Sequence, residues 1–285
     1  MLSLIWEPLQ YSFMQRALLV AVAVGILCAV MGSYLLVQRL ALLGDAISHS
    51  LLPGLALAFM VGVNIFVGAF IAGVISTLLI HAIRSRTTLK EDAAMGVVFS
   101  AFFALGITLI TLLQKAQKID LNHFLFGNIL GVTAEDVWIT IAIAGLVLLV
   151  VALLYKELLF VSFDPIGAQA AGIPVAGLNA SLMVLVSLTL VASMKAVGVL
   201  LVLAMLITPG ATAYLLVPRL HQVMGVGSLL GVVGSVMGLY GSYYLNVPSG
   251  PAIVLVVSLG FFLALLFSPS QGLLTRPHPP GSPQP

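Results

Sequence analysis

The stretch ALLVAVAVGILCAVMGSYLLV, residues 17–37, is 21 residues long and contains no charged side chain. At a rise of about 1.5 Å per residue, a helix of this length crosses a hydrocarbon core about 30 Å thick. Inside lipid, every backbone polar group must be paired within the protein, so only helices and closed barrels span a membrane. The stretch lacks the alternation of apolar and polar residues typical of a barrel strand. It therefore predicts a transmembrane α-helix.

Similar apolar stretches fill the rest of the chain. Of its 285 residues, 61% are hydrophobic and 7% are charged, too few polar side chains to cover a soluble globule. We therefore predict an all-α fold, a polytopic transmembrane helical bundle with eight or nine spans. The spans are expected near residues 17–37, 47–62, 63–83, 93–113, 135–155, 175–194, 196–217, 223–244 and 250–268.

The chain divides into three regions. Residues 1–16 are expected to be an extracytoplasmic or interfacial segment, and residues 17–268 the transmembrane domain. Residues 269–285 are rich in Pro, Gly and Ser and predict a disordered cytoplasmic tail. The basic residues are scattered, which gives nucleic acid no electrostatic surface and leaves membrane lipid as the surrounding partner.

The distribution of Lys and Arg predicts the orientation. Cytoplasmic loops carry an excess of basic residues. With the N-terminus outside and the C-terminus inside, seven of the eleven basic residues lie on the cytoplasmic side. Those seven are Arg39, Arg84, Arg86, Lys90, Lys156, Arg219 and Arg276.

The stretch GDAISHSLLPG, residues 44–54, places two ionisable side chains between long apolar runs. In a helix, Asp45 and His49 lie on one face at the i, i+4 spacing that lets two side chains hold one ion. Alternatively, the two side chains could simply hydrogen-bond to each other at the start of a helix. Ionisable residues within a membrane, however, tend to line a transport pathway. A carboxylate and an imidazole suit Mn²⁺, Fe²⁺ or Zn²⁺ better than Cu⁺. A symmetric dimer would supply two of each ligand.

The stretch FVSFDPIGAQAAGIP, residues 160–174, predicts a short cytoplasmic helix. Asp164 is a good N-cap, Pro165 fits the first helical position, and Gly172 with Pro174 ends the helix. Its small residues suit docking into a groove of another protein. An ordinary interfacial connector would have the same pattern, so the local sequence leaves both interpretations open.

Three further features concern possible transport. The pairs Pro53-Gly54 and Pro209-Gly210 predict helix kinks of the kind found around transport sites. Asp120 and His123 are possible metal-binding residues at the outer entrance. The acidic residues Glu91 and Asp92 are explained by helix capping, with a role in metal exit as the weaker interpretation.

No G-x-x-x-x-G-K-[ST] motif is present, so energy from ATP has to come from a partner.

Six motifs together resemble the membrane subunit of bacterial ABC importers for manganese, zinc and iron. The resemblance covers nearly the whole chain in the expected order. The motifs are GDAISHSLLPGLALAF (44–59), EDAAMGVVFSAFFALG (91–106), HFLFGNILG (123–131), FDPIGAQAAGIP (163–174), VGVLLVLAMLITPGATAYLL (197–216) and YYLNVPSGPAIVL (243–255).

The resemblance implies a permease subunit that is not itself an enzyme. It implies a homodimer in the bacterial plasma (inner) membrane, two cytoplasmic ATP-binding subunits and an extracytoplasmic metal-binding protein. Asp45 and His49 match the family's metal-coordinating positions. The family's ATPase-coupling helix falls on Phe163, Asp164, Pro165, Ala168 and Gly172.

The resemblance also implies a cargo. The form GDAISH is more similar to members assigned to manganese or iron than to the GDTLAH type associated with zinc. Mn²⁺ is therefore the expected substrate, with Zn²⁺ or Fe²⁺ as alternatives and no permanently bound cofactor. A permease for metal chelates or cobalamin shares the general architecture, and a proton-coupled carrier is the rival from another class.

Overall fold

Helix is the conformation of every long apolar stretch in the computed structural model, which describes residues 2–114, 129–268, 272 and 274. These residues contain no strand. A 3₁₀ turn at Ile129–Gly131 precedes the second half of the bundle. The α-helices are α1 (Leu2–Leu9), α2 (Ser12–Val37), α3 (Leu43–Ser50), α4 (Leu52–Val61), α5 (Ile65–Arg86), α6 (Glu91–Gln114), α7 (Ala134–Leu153), α8 (Tyr155–Phe163), α9 (Pro165–Ala170), α10 (Val175–Val197), α11 (Val199–Leu216), α12 (Leu220–Leu245) and α13 (Ser249–Phe267).

Nine segments of the described chain are long and apolar enough to cross a membrane, if α3 and α4 are taken together as one. This is the higher of the two predicted counts. Helices α8 and α9 are short and lie between the fifth and sixth spans. The predicted tail, 269–285, lies outside the described residues except for positions 272 and 274.

Two spans begin four or five residues earlier than hydropathy predicts. Helix α2 starts at Ser12 instead of residue 17. The Gln15 side chain donates to the carbonyl of Leu9 at 2.7 Å, and Arg16 donates to the carbonyl of Ser12 at 3.3 Å. The second span likewise begins at Leu43 instead of residue 47, so Asp45 is helical.

Helix α2 lies at the centre of the bundle and packs against α12, α11 and α7. Its glycines allow this packing. A Cβ atom at Gly25 would lie 3.1 Å from the backbone of Gly231 in α12, and one at Gly32 would overlap the carbonyl oxygen of Leu206 in α11. Because lipid is as apolar as the side chains, membrane helices associate through such close contacts rather than through the hydrophobic effect.

One ion pair joins helices at the end of the bundle that the basic residues assign to the outside. The ammonium Nζ of Lys195, near the end of α10, lies 2.7 Å from Asp136 Oδ1 in α7, and both side chains are mostly buried. The same ammonium lies 4.9 Å from the ring centre of Phe66 in α5. Asp136 also forms a capping box with Thr133 at the start of α7. The pair thus ties three helices together at one level.

We expect Gly32→Ala to destabilise the protein by about 1–3 kcal/mol, because the added methyl group forces α2 away from the backbone of α11. Thermal unfolding of the purified protein in detergent measures this. Gly145→Ala is the matched control, since a Cβ atom at Gly145 has no neighbour within 4 Å. Equal melting temperatures for the two variants would contradict the close α2–α11 packing.

We expect Lys195→Met to destabilise the protein by about 2 kcal/mol, because Asp136 loses a charged partner in a mostly buried position. The double variant Lys195→Met/Asp136→Asn removes both charges and should recover part of the loss. Thermal unfolding of the two single variants and the double variant gives the coupling between the residues. Strictly additive losses would show that the two side chains do not interact.

Candidate functional site

The break between α3 and α4 is an interruption of the helical hydrogen bonding, and Leu51 between them keeps helical backbone angles. Proline has no N–H group, so Pro53 cannot donate the helical hydrogen bond to the carbonyl of His49 four residues earlier. Helix α3 ends at Ser50, and Pro53 lies in the first turn of α4, where proline is tolerated. Gly54 packs directly on Gly68 of α5, which holds the start of α4 against its neighbour. The Asp–His pair therefore lies on the turns just before a helix break.

Asp45 and His49 lie on one face of α3, as their spacing predicts. His49 Nε2 is 3.6 Å from Asp45 Oδ1, within ion-pair range but longer than a hydrogen bond. The Asp45 side chain is 55% exposed on the single chain and the His49 side chain 30% exposed. Both side chains therefore have room to bind a shared ion.

Aromatic rings of α6 hold the imidazole on one side. The ring centre of His49 lies 5.4 Å from that of Phe99 and 5.4 Å from that of Phe103, and both contacts are edge-to-face. Packing of this kind restricts the rotation of the ring. Sequence reasoning did not single out these two phenylalanines, because the contact depends on how α3 packs against α6.

A cleft of about 140 Å³ opens beside Asp45. Asp92, in the first turn of α6, lines the same cleft, together with Met95 and Phe99. The sequence favoured helix capping for Asp92 and left a role in metal exit as the weaker interpretation. Its position near Asp45 could not be read from the sequence, since the two residues are 47 positions apart.

One copy of the chain offers an incomplete metal site. In the described part of the chain, no three His, Cys, Asp or Glu side chains come together as possible ligands of one ion. Zinc normally takes four ligands in proteins, and manganese prefers six. Asp45 and His49 supply two, so the rest must come from water or from another chain.

The second predicted site is a short helix with a strong cap. The Gly167 N–H donates to Asp164 Oδ1 at 2.8 Å, Pro165 is the first helical residue, and Gly172 has a φ of +80° just after the helix. Ala168 is fully buried beneath the helix. Phe163 and Ile166 face outward, 63% and 81% exposed. The sequence reasoning named Phe163 but missed Ile166, the more exposed of the two.

The remaining candidate residues are the Pro209-Gly210 pair and the predicted entrance residues Asp120 and His123. Helix α11 runs without interruption through Pro209 and Gly210, so a helix break is found at Pro53 and not at Pro209. The predicted kink at Pro209 stays a prediction. Asp120 and His123 lie outside the described residues.

The fold defines a class of protein. The residues that the structure describes form nine segments long and apolar enough to cross a membrane, which is the arrangement of a multi-pass membrane protein. The profile of the ABC 3 transport family matches residues 10–268. The chain belongs to this family.

Similar proteins cover almost the whole chain. The manganese transport system membrane protein MntC of Halalkalibacterium halodurans is 49% identical over 95% of this chain and 92% of its own length. The chelated iron transport system membrane protein YfeD of Yersinia pestis is 41% identical over 93% of this chain and 89% of its own. The solved structure of PsaBC from Streptococcus pneumoniae in complex with Fab matches with a TM-score of 0.83 at 39% identity, covering 94% of this chain and 96% of that one.

Proposed function

We propose that this chain is the membrane-spanning permease subunit of an ATP-driven importer for Mn²⁺ in the bacterial plasma membrane. The observation that carries the proposal is the exposed Asp45–His49 pair at a helix break, in a chain that is 49% identical to a manganese transport protein. A carboxylate and an imidazole suit Mn²⁺, Fe²⁺ and Zn²⁺. The relative named for chelated iron makes Fe²⁺ the second candidate cargo.

The exposure of Asp45 supports a homodimer. A carboxylate in contact with lipid is unfavourable, and ionisable residues within membrane helices normally face a bundle interior or a water-filled path. Asp45 is 55% exposed on the single chain, so a second copy that covers α3 would remove it from lipid. Around a two-fold axis, the same surface from each copy would bring two aspartates and two histidines together. That set would supply four ligands, enough for Zn²⁺, and water would complete the six that Mn²⁺ prefers.

The exposed face of α9 supports docking to a separate ATPase subunit, which hydrolyses the ATP. Ile166 and Phe163 place two large apolar side chains outside the bundle, where water would otherwise surround them. An apolar groove on a cytoplasmic ATPase is the partner that fits this face. An extracytoplasmic metal-binding protein would deliver the ion at the opposite end, where Asp120 and His123 stay predicted contacts.

Transport then requires two arrangements of the paired bundles. ATP binding would draw the ATPase subunits together and displace α9, and the site at Asp45 and His49 would open to one side of the membrane and then to the other. The metal is the cargo and has to be released. A site with two protein ligands from each copy, and with water as the remaining ligands, releases the metal more readily than a site in which protein supplies every ligand. No proton gradient is needed in this scheme.

We expect Asp45→Asn and His49→Ala each to reduce Mn²⁺ uptake by more than about tenfold, because the first replaces both carboxylates of the dimer with neutral, weaker amide ligands and the second removes both imidazoles. Uptake is measured in cells that lack other high-affinity importers and carry this chain with its ATPase and binding protein. His221→Ala, which changes an exposed histidine of α12, is the matched control. Wild-type uptake by either site variant would refute the assignment of the metal site.

We expect Ile166→Asp to abolish copurification of the ATPase subunit, because a charge would replace the apolar contact in the groove. Ile166→Leu should retain it. Leu89→Asp changes another exposed apolar residue in the loop before α6 and serves as the control. A bulky residue at Gly167 is less informative, since its Cβ atom would collide with the Asp164 carboxylate and break the cap. Copurification that survives Ile166→Asp would show that the ATPase docks elsewhere.

A further inference from the structure

We propose that Gln38, through its hydrogen bond to Ser162, is a positioning residue that makes the metal site move together with α9. The inference rests on the proposed function, in which α9 receives the motion of the ATPase and Asp45 with His49 binds the metal. It assigns the mechanical connection between these two sites to one pair of side chains.

The connection begins with a hydrogen bond between distant parts of the chain. Gln38 Nε2 donates to Ser162 Oγ at 3.1 Å, in a partly buried position, and the two residues are 124 positions apart. Ser162 lies in the last turn of α8, two residues before the cap of α9. Gln38 is the residue that ends α2. The bond therefore joins the segment that carries α9 to the segment that leads to Asp45.

Hydrogen bonds on both sides of Asp164 hold the joint between α8 and α9. The Asp164 N–H donates to the carbonyl of Phe160 at 2.9 Å, so Asp164 closes α8. The carbonyl of Asp164 accepts from the N–H of Ala168 at 3.0 Å, and its side chain accepts from Gly167, so the same residue opens α9. When α9 is displaced, we therefore expect Ser162 to move with it.

The turn between α2 and α3 is equally tight. Arg39 has a φ of +60°, in the left-handed region that non-glycine residues rarely adopt. The Leu40 N–H donates to the carbonyl of Leu35 at 2.7 Å, and the Leu43 N–H donates to the carbonyl of Leu40 at 2.9 Å. Leu40 and Leu43 are buried, at 1% and 0% exposure. The turn is thus fixed by hydrogen bonds and by packing, and α3 follows the end of α2.

These contacts form one stiff path from the cytoplasmic helix to the metal ligands. Asp45 lies only seven residues after Gln38, in the first turn of α3. When α9 moves, Ser162 displaces Gln38, the turn transmits the displacement, and α3 carries Asp45 and His49 with it. Without the bond, α9 can still move and ATP can still be hydrolysed. Asp45 and His49 are then displaced less for the same movement of α9.

The test uses the complete complex of permease, ATPase subunits and binding protein in liposomes, and measures Mn²⁺ accumulated per ATP hydrolysed. We expect Gln38→Leu and Ser162→Ala each to lower this ratio about fivefold, the effect of losing one typical hydrogen bond. The double variant should be no worse than either single variant. Ser162→Thr keeps the hydroxyl group and should retain the ratio. Thr87→Ala is the matched control, because the hydroxyl it removes makes local hydrogen bonds, to the Ile83 carbonyl and from the Leu89 N–H.

A second measurement addresses the motion itself. In a Cys28→Ser background, which removes the chain's single cysteine, Gln38→Cys and Ser162→Cys are joined by a short bifunctional reagent. If the two segments move as one body, the cross-linked complex keeps transporting. Transport that stops on cross-linking, with ATP hydrolysis continuing, would overturn the proposal, as would an unchanged ratio in Gln38→Leu.

The outcomes separate this inference from the proposed function. Asp45→Asn is measured in the same liposomes. If Asp45→Asn transports normally, the metal site itself is wrong. If Asp45→Asn is inactive while Gln38→Leu and Ser162→Ala have wild-type ratios, the metal site stands and the mechanical connection is refuted. A variant that only loses stability would show a lower melting temperature with an unchanged ratio, which also refutes the connection.

Discussion

A chain inside a bilayer has to pair its own backbone polar groups, and the arrangement of this protein depends on that constraint. Long uninterrupted helices meet it without help from neighbours. The break at Leu51, before Pro53, departs from it in the middle of a span. The two ionisable residues Asp45 and His49 lie on the turns before that break. Departures from regular helix within a membrane are tolerated where they are packed in protein or line a cavity, which is the setting a transport site provides.

The sequence was sufficient for features that arise from local chemistry. Hydropathy predicted the all-α bundle, and the structure has the higher of the two predicted numbers of spans in its described part. The start of α9 was predicted at Asp164, because capping involves only the next few residues. The beginnings of α2 and α3 were misplaced by several residues, and at the start of α2 the polar side chains are paired locally, which hydropathy does not detect.

Features that depend on packing between helices could not be predicted. The approach of Asp92 to Asp45 follows from how α6 lies against α3, and the edge contacts of Phe99 and Phe103 with His49 have the same origin. The bond between Gln38 and Ser162 joins segments with no sequence signal in common. Helix packing here relies on glycine contacts such as Gly25 with Gly231, and a single sequence rich in glycine does not say which glycines meet. The sequence thus named the candidate metal ligands but not the side chains that surround them.

In the proposed transporter, two copies share one metal site built from Asp45 and His49. The most direct measurement is Mn²⁺ transport by mixed dimers in which one copy is wild type and the other carries Asp45→Asn, isolated by two different affinity tags. A shared site loses a ligand in every mixed dimer, so we expect transport to fall nearly to the level of the fully substituted dimer. Mixed dimers that retain about half of the wild-type rate would mean that each copy has a site of its own, and would contradict the shared site.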